Sequence, residues 1–226
     1  MKSVVEFLWG SPIVTEKSDE DWLIFTDTYP TEYIKASPQL AGPRSKPVDG
    51  IRKTIDTMPE FLFEIPFYSC FCLFAQEYYV DAAATTQIQT IISMREDICR
   101  MNLPEFYNRL ASSVSSWSQG QEKFYRPKRF YKAIKNSAMA VRAAHGASFE
   151  EALAFGNQIS APIKLEQLTQ KEALELFQEY KNQLEQKEVT NFFQQEINYT
   201  TYEKLKTLVD SIDVSKLTGI PVKGPF

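Results

Sequence analysis

The spacing of apolar positions along this chain changes character near residue 70. Before it, apolar residues gather in short runs separated by turn formers. Ser3 to Leu8 and Trp22 to Thr26 are two such runs, and each predicts a strand. Glu60 to Phe67 reads as a third strand, with Pro66 marking an edge or a strand end. Residues Thr28 to Gly50 hold Pro30, Pro38, Pro43, Pro47, Gly42 and Gly50, and predict a long loop with one helical turn around Glu32 to Lys35. From Ser69 the spacing is helical. It predicts helices over 69–79, 85–100, 105–117, 128–145, 149–158, 170–187 and 201–212. Pro104 and Pro127 stand at helix starts and Gly146 just past a helix end. Ser148 with Glu151, Thr169 with Glu172 and Thr200 with Glu203 have capping-box spacing. The Gly/Pro-rich tail from Thr218 is expected to be loosely held. The class is therefore α+β: a small mixed β-sheet head over residues 1–95 and a helical C-terminal domain over 96–226.

Composition narrows the function classes. The 226 residues are 43% hydrophobic, with 16 Phe and 11 Tyr, which fits a packed core and not a disordered chain. A net charge of −4 argues against a generic nucleic-acid coat protein, while leaving room for a local basic groove. The three cysteines, Cys70, Cys72 and Cys99, form no C-x-x-C, and His145 is the one histidine, so a Cys/His zinc site is not expected. An odd cysteine count fits a reducing compartment. No basic segment followed by an apolar one opens the chain, so no secretory signal is expected. The most apolar stretch, Phe61 to Ala75, is interrupted by Glu64 and Pro66 and is shorter than the ~20 residues a bilayer span takes. A cytoplasmic protein without a membrane partner is the expectation.

Two carboxylates supply the sharpest chemical signal. Asp19 and Asp21 lie i, i+2 at the head of the second strand, where they share a face and can share divalent cations. The Gly10-Ser11 turn before them can present backbone N–H groups to phosphate oxygens. A metal pair beside a phosphate cradle is what nucleotidyl transfer requires. Two ions need a third carboxylate, and Glu64 is the best candidate, with Glu60 next. Ordinary loop acids before a strand explain the same spacing equally well. A basic run, Lys123, Arg126, Lys128, Arg129, Lys132, Lys135 and Arg142, interleaves with aromatic residues. Lys128, Lys132 and Lys135 share a helical face that Arg142 continues, suited to a triphosphate or a nucleic-acid acceptor, or simply solvated. His145 at a helix end, Cys70 and Cys72 in an aromatic run, and Trp9 and Trp22 beside the acids all read first as structural residues.

Gly10-Ser11 followed by Ser18-Asp19-Glu20-Asp21-Trp22-Leu23 resembles the Gly-Ser…Ser-Asp-x-Asp signature of the DNA polymerase beta-like nucleotidyltransferase superfamily, and within it the small nucleotidyltransferases of bacteria and phages. Glu64 before Tyr68-Ser69, and Lys135 seven residues before Arg142, are similar to later features of that group. The resemblance implies a nucleotidyltransferase head in which Asp19, Asp21 and Glu64 hold two Mg²⁺ (or Mn²⁺) ions. It implies that Gly10, Ser11, Lys132, Lys135 and Arg142 bind phosphates. The reaction it implies moves a nucleoside monophosphate from a nucleoside triphosphate to a hydroxyl acceptor on a protein, an RNA or a small molecule, with release of pyrophosphate. The segment from Ser11 to Asp19 is shorter than the family's, its second glycine is absent, and Glu20 and Met139 replace an apolar residue and a histidine. These departures also fit a catalytically degenerate relative that serves as a nucleotide- or protein-binding module.

Overall fold

The computed structural model describes residues 1–8, 20–28, 33–34, 48–66, 72–75, 77–118 and 127–224. Among the described residues the chain is mixed α+β with a six-stranded sheet. The strands are β1 (Ser3–Leu8), β2 (Glu20–Thr26), β3 (Tyr33–Ile34), β4 (Val48–Thr54), β5 (Tyr78–Val80) and β6 (Val222–Lys223), in the spatial order β3-β4-β2-β1-β5-β6. β1 runs antiparallel to both β2 and β5, and β2 runs parallel to β4.

Alternation along these strands builds one apolar face. Val5 and Phe7 of β1, Leu23 and Phe25 of β2, and Tyr78 and Val80 of β5 are buried in a common core. The intervening positions form a smaller cluster on the other face, where Trp22 and Ile24 are buried against Leu8 and Tyr79. The main core also takes Met58, Phe61 and Leu62 of helix α1 (Met58–Glu64) and Ile88 and Ile91 of α2 (Thr85–Ser93). Ile98 of α3 (Arg95–Arg100) joins it, as do Leu205 and Val209 of α9 (Tyr199–Asp210).

The chain divides into two compact units, one of residues Met1–Met101 with Asn198–Phe226, the other of Asn102–Ile197. The first unit therefore includes the chain's end, whereas the sequence pattern suggests a single cut near residue 95. The second unit is helical among its described residues: α4 (Leu103–Ser118), α5 (Pro127–Ala144), α6 (Phe149–Lys164), α7 (Gln170–Leu184) and α8 (Lys187–Phe193). Ser148 and Thr169 cap α6 and α7 in complete capping boxes with Glu151 and Glu172. At the end of α5, Gly146 takes a φ of 92°, the left-handed geometry that halts a helix.

Four expectations need correction. Residues 58–64 form helix α1 and not a strand: Pro59 stands in its first turn, and Met58, Phe61 and Leu62, spaced i, i+3 and i+4, are buried on one helical face. Tyr78–Val80 is a strand and not the end of a helix. The expected loop over residues 28–50 ends early, because β4, a seven-residue strand, begins at Val48. The box expected at Thr200 is not made. Asn198 caps α9 instead, its side chain accepting from the Thr201 N–H.

Candidate functional site

β2 begins at Glu20, so Asp21 stands in its first turn of pleat, two residues before the buried Leu23. It is exposed while its neighbour Trp22 is buried. The parallel ladder pairs Asp21 with Asp49 of β4, and Leu23 with Ile51. Paired positions of a parallel ladder lie on one face of the sheet, with neighbouring strands about 4.8 Å apart. The register thus sets an acidic position beside Asp21 that the sequence pattern passed over. Val48 to Thr54 carries an Asp, a Gly, an Arg and a Lys among few apolar residues, so nothing in it marks a strand. Gly10, Ser11 and Asp19 lie outside the described residues.

Glu64 occupies the last turn of α1 and is exposed. Around it the same helix and α9 carry Glu60 and Tyr202, whose phenol O–H donates to the Glu60 carboxylate at 2.9 Å. The two acids proposed from sequence as third ligands are therefore side by side on a helix and not on a strand. Among the described residues, no three His, Cys, Asp or Glu side chains come together as a metal-binding group.

The basic positions belong to the second unit. Lys132 and Arg142 are exposed on α5, whereas Lys135 is 6% exposed. The Lys135 Nζ lies 5.9 Å from the centroid of the Tyr131 ring, and Lys164 of α6 reaches within 5.4 Å of the same ring. Burial, followed by the charges of Lys132 and Lys164, pushes the Lys135 ammonium down to about 7. Arg142 goes elsewhere, its guanidinium 5.6 Å from the Phe155 centroid. The structure thus gathers Lys132 and Lys135 with Lys164, a residue the sequence reading did not single out. It stands 29 positions from Lys135, at the far end of the next helix. The helix pair permits this approach through Gly156, where a Cβ would fall 2.4 Å from the Lys135 carbonyl oxygen.

No family model, no curated protein and no solved structure matches this chain.

Three further residues are placed. His145 follows α5, with its Nε2 3.9 Å from the Glu188 carboxylate at the surface. Cys72 and Cys99 are buried, and burial raises the Cys72 thiol far above its ordinary value, which keeps it protonated. Among the described residues no helix is long and apolar enough to cross a membrane.

Proposed function

We propose that the protein is a metal-dependent nucleotidyltransferase of the polymerase-beta type. The observation that carries this reading is the pairing of Asp21 with Asp49 at the head of β2, directly after the Gly10-Ser11…Asp19-x-Asp21 pattern. Carboxylate oxygens are the hard donors that Mg²⁺ prefers, and adjacent strands provide the close, fixed spacing that a shared ion needs. Asp19, Asp21 and Asp49 would hold the metal. Bound there, it would neutralise triphosphate charge and lower the pKa of an acceptor hydroxyl. Gly10 and Ser11 would receive phosphate oxygens on their N–H groups. Lys132, Lys135 and Arg142 of the second unit would contribute positive charge for phosphate, and Lys164 stands with the first two.

A second reading is a degenerate member that binds nucleotide or protein without transfer. It is supported by the helical position of Glu64, which leaves that acid off the sheet, and by the short segment from Ser11 to Asp19.

Calorimetric titration of each nucleoside triphosphate, with and without Mg²⁺, tests both. Asp21→Asn and Asp49→Asn are each expected to weaken Mg²⁺-dependent binding by roughly tenfold or more through loss of a ligand charge. The Asp21 change should alter unfolding free energy by less than about 0.5 kcal/mol, as for an exposed residue. Glu64→Gln should bind as wild type. Metal-dependent binding without pyrophosphate release, whatever acceptor is supplied, favours the degenerate reading. Unchanged binding in Asp21→Asn removes the metal site altogether.

A further inference from the structure

The middle of α5 buries an amine among amines. Lys135 is buried, and two further ammonium groups act on it, Lys132 from the preceding turn of α5 and Lys164 from α6. Lys132 is exposed and Lys164 half-buried. The buried Tyr131 ring marks the place, with the Lys135 Nζ 5.9 Å and the Lys164 Nζ 5.4 Å from its centroid. The backbone builds this approach. A Cβ at Gly156 would fall 2.4 Å from the Lys135 carbonyl oxygen, so only a glycine lets α6 lie so close to this turn. From Gly156, α6 runs on to Lys164 in its last turn.

Three like charges in a partly buried corner repel one another, and the most buried of them yields. Burial, then Lys132 and Lys164, push Lys135 down to about 7. An ordinary lysine, at about 10.4, is almost wholly ammonium at neutral pH, whereas here a large share is free amine with a nucleophilic lone pair. The neighbours that disfavour a cation on this nitrogen favour an anion on it. The chemistry that suits the place therefore turns an amine into an anion without adding bulk.

Carbon dioxide does this. It is small and uncharged, so it reaches an amine that larger electrophiles do not. The nitrogen lone pair forms a C–N bond, one C=O electron pair moves onto oxygen, and the nitrogen gives its proton to water. Amine and carbon dioxide become a carbamate and a proton, and no further reactant is needed. Carbamates on exposed amines lose carbon dioxide readily. One lying between two ammonium groups is held, because its loss would bring back the repulsion among the three lysines.

We propose that Lys135 is a carbamylation site, at which the amine adds carbon dioxide and Lys132 and Lys164 hold the resulting carbamate. This goes beyond the nucleotide reading, and its test contains no nucleotide. The carbamate and a phosphate group draw on the same two ammonium groups, so each excludes the other. Carbon dioxide thereby sets how much positive charge the cluster offers to an anion.

The full chain is equilibrated near neutral pH with ¹³C-labelled bicarbonate, which supplies labelled carbon dioxide. Carbon NMR reads the carbamate. Alkylation of its carboxyl by a trialkyloxonium ion, followed by peptide mass spectrometry, reads its position. In wild type the trapped carboxyl should sit on Lys135. Lys135→Met should lose one carbamate resonance. Lys132→Met and Lys164→Met should each lower its occupancy roughly fivefold or more, through loss of a flanking charge and return of the amine to ammonium. Lys171→Met, at an exposed position of α7, should leave it unchanged. Trapped carboxyl at the terminal amine or at other lysines but not at Lys135 overturns the proposal, and this result comes from wild type alone, whatever the stability of the variants. Full occupancy in both Lys132→Met and Lys164→Met overturns it as well, as does a spectrum that Lys135→Met leaves unaltered.

Discussion

At the scale of the residue, the most connected acid of the first unit is one the sequence does not advertise. Asp81 follows β5 with its side chain fully buried. Its carboxylate accepts from the Ala83 N–H at 3.0 Å, the Thr218 N–H and hydroxyl at 2.8 Å each, and the Gly219 N–H at 2.7 Å. The first bond is a local cap, legible in the Asp-x-Ala spacing. The other three come from 137 and 138 positions away, and no local pattern encodes them. The tail expected to be loose is tied down here, and its Gly224 N–H also donates to the Tyr78 carbonyl. Burial alone would raise the Asp81 pKa, but the four donors outweigh it and hold the carboxyl below its ordinary value. A depressed folded-state pKa gives stability that is present above the unfolded value and lost as pH falls through the folded one. Asp81 therefore contributes fully at neutral pH, and its contribution fades as the pH drops below about 3.8. Asp81→Ala should cost about 3 kcal/mol at pH 7, since it leaves several N–H groups unpaired. The deficit relative to wild type should shrink toward pH 2. Urea unfolding across that range checks it, and a deficit independent of pH would mean that the lost contacts are not those of the carboxylate.

At the scale of the element, legibility followed how local the signal was. The helix starts at Ser148 and Thr169 and the stop at Gly146 rest on local contacts and are readable, and β1 is readable from its apolar run although its partners β2 and β5 are distant. The apolar run at α1 fits a strand as well as a helix by its length, and only packing against the sheet decides which. β4 is not legible in its composition, because its pairing with β2 and β3 is what makes it a strand. The pairing of α5 with α6 shows the same limit. Spacing places Lys128, Lys132 and Lys135 on one helical face as if all were solvated. Lys128 and Lys132 are exposed, but Gly156 admits α6 so closely that Lys135 is buried. Its pKa of about 7 lies below the unfolded value of 10.5, so between these limits the unfolded chain holds more protons. Stability from this group should therefore rise as the pH goes from 7 toward 10.5, and the cost of burying the charge is borne in full below 7. Lys135→Met should flatten that rise and stabilise the second unit at pH 6, by on the order of a few kcal/mol. Denaturant curves at pH 6, 8 and 10 provide the readout. A variant less stable than wild type at pH 6 would show that the ammonium is well paired where it lies.

At the scale of the whole molecule, the chain's order and its units disagree, and that disagreement is testable. The second unit is one continuous segment, Asn102–Ile197, inserted into the first. The Asn198 N–H donates to the Met101 carbonyl at 2.8 Å, so the chain leaves and re-enters the first unit at one spot. What returns is essential to that unit, since Leu205, Val209, Ile212 and Leu217 are buried in the core with the sheet residues Val5, Phe7, Leu23 and Phe25. At about 1.5–3 kcal/mol per buried apolar side chain, those four supply roughly 6–12 kcal/mol. That equals the whole net stability of an ordinary domain, about 5–15 kcal/mol. A chain ending at Ile197 should therefore lose the first unit while keeping the second. In hydrogen exchange, amides of β1 and β2 would exchange like an unfolded peptide, and those of α5, α6 and α7 would stay protected. The complementary variant replaces Asn102–Ile197 with a short Gly/Ser loop. It should keep β1 and β2 protected, because the two ends already meet at a hydrogen bond and the closure entropy of a short loop is small. Protection of β1 and β2 in the truncated chain would show that α9 merely decorates the sheet. Loss of protection in the loop variant would show that the first unit cannot hold its fold without the insert. The site at Asp21 depends on the same outcome. Its position on β2 is fixed by strands that α9 helps to bury, so on the proposed reading the truncated chain should lose metal-dependent nucleotide binding, and the loop variant should keep Asp21 and Asp49 paired.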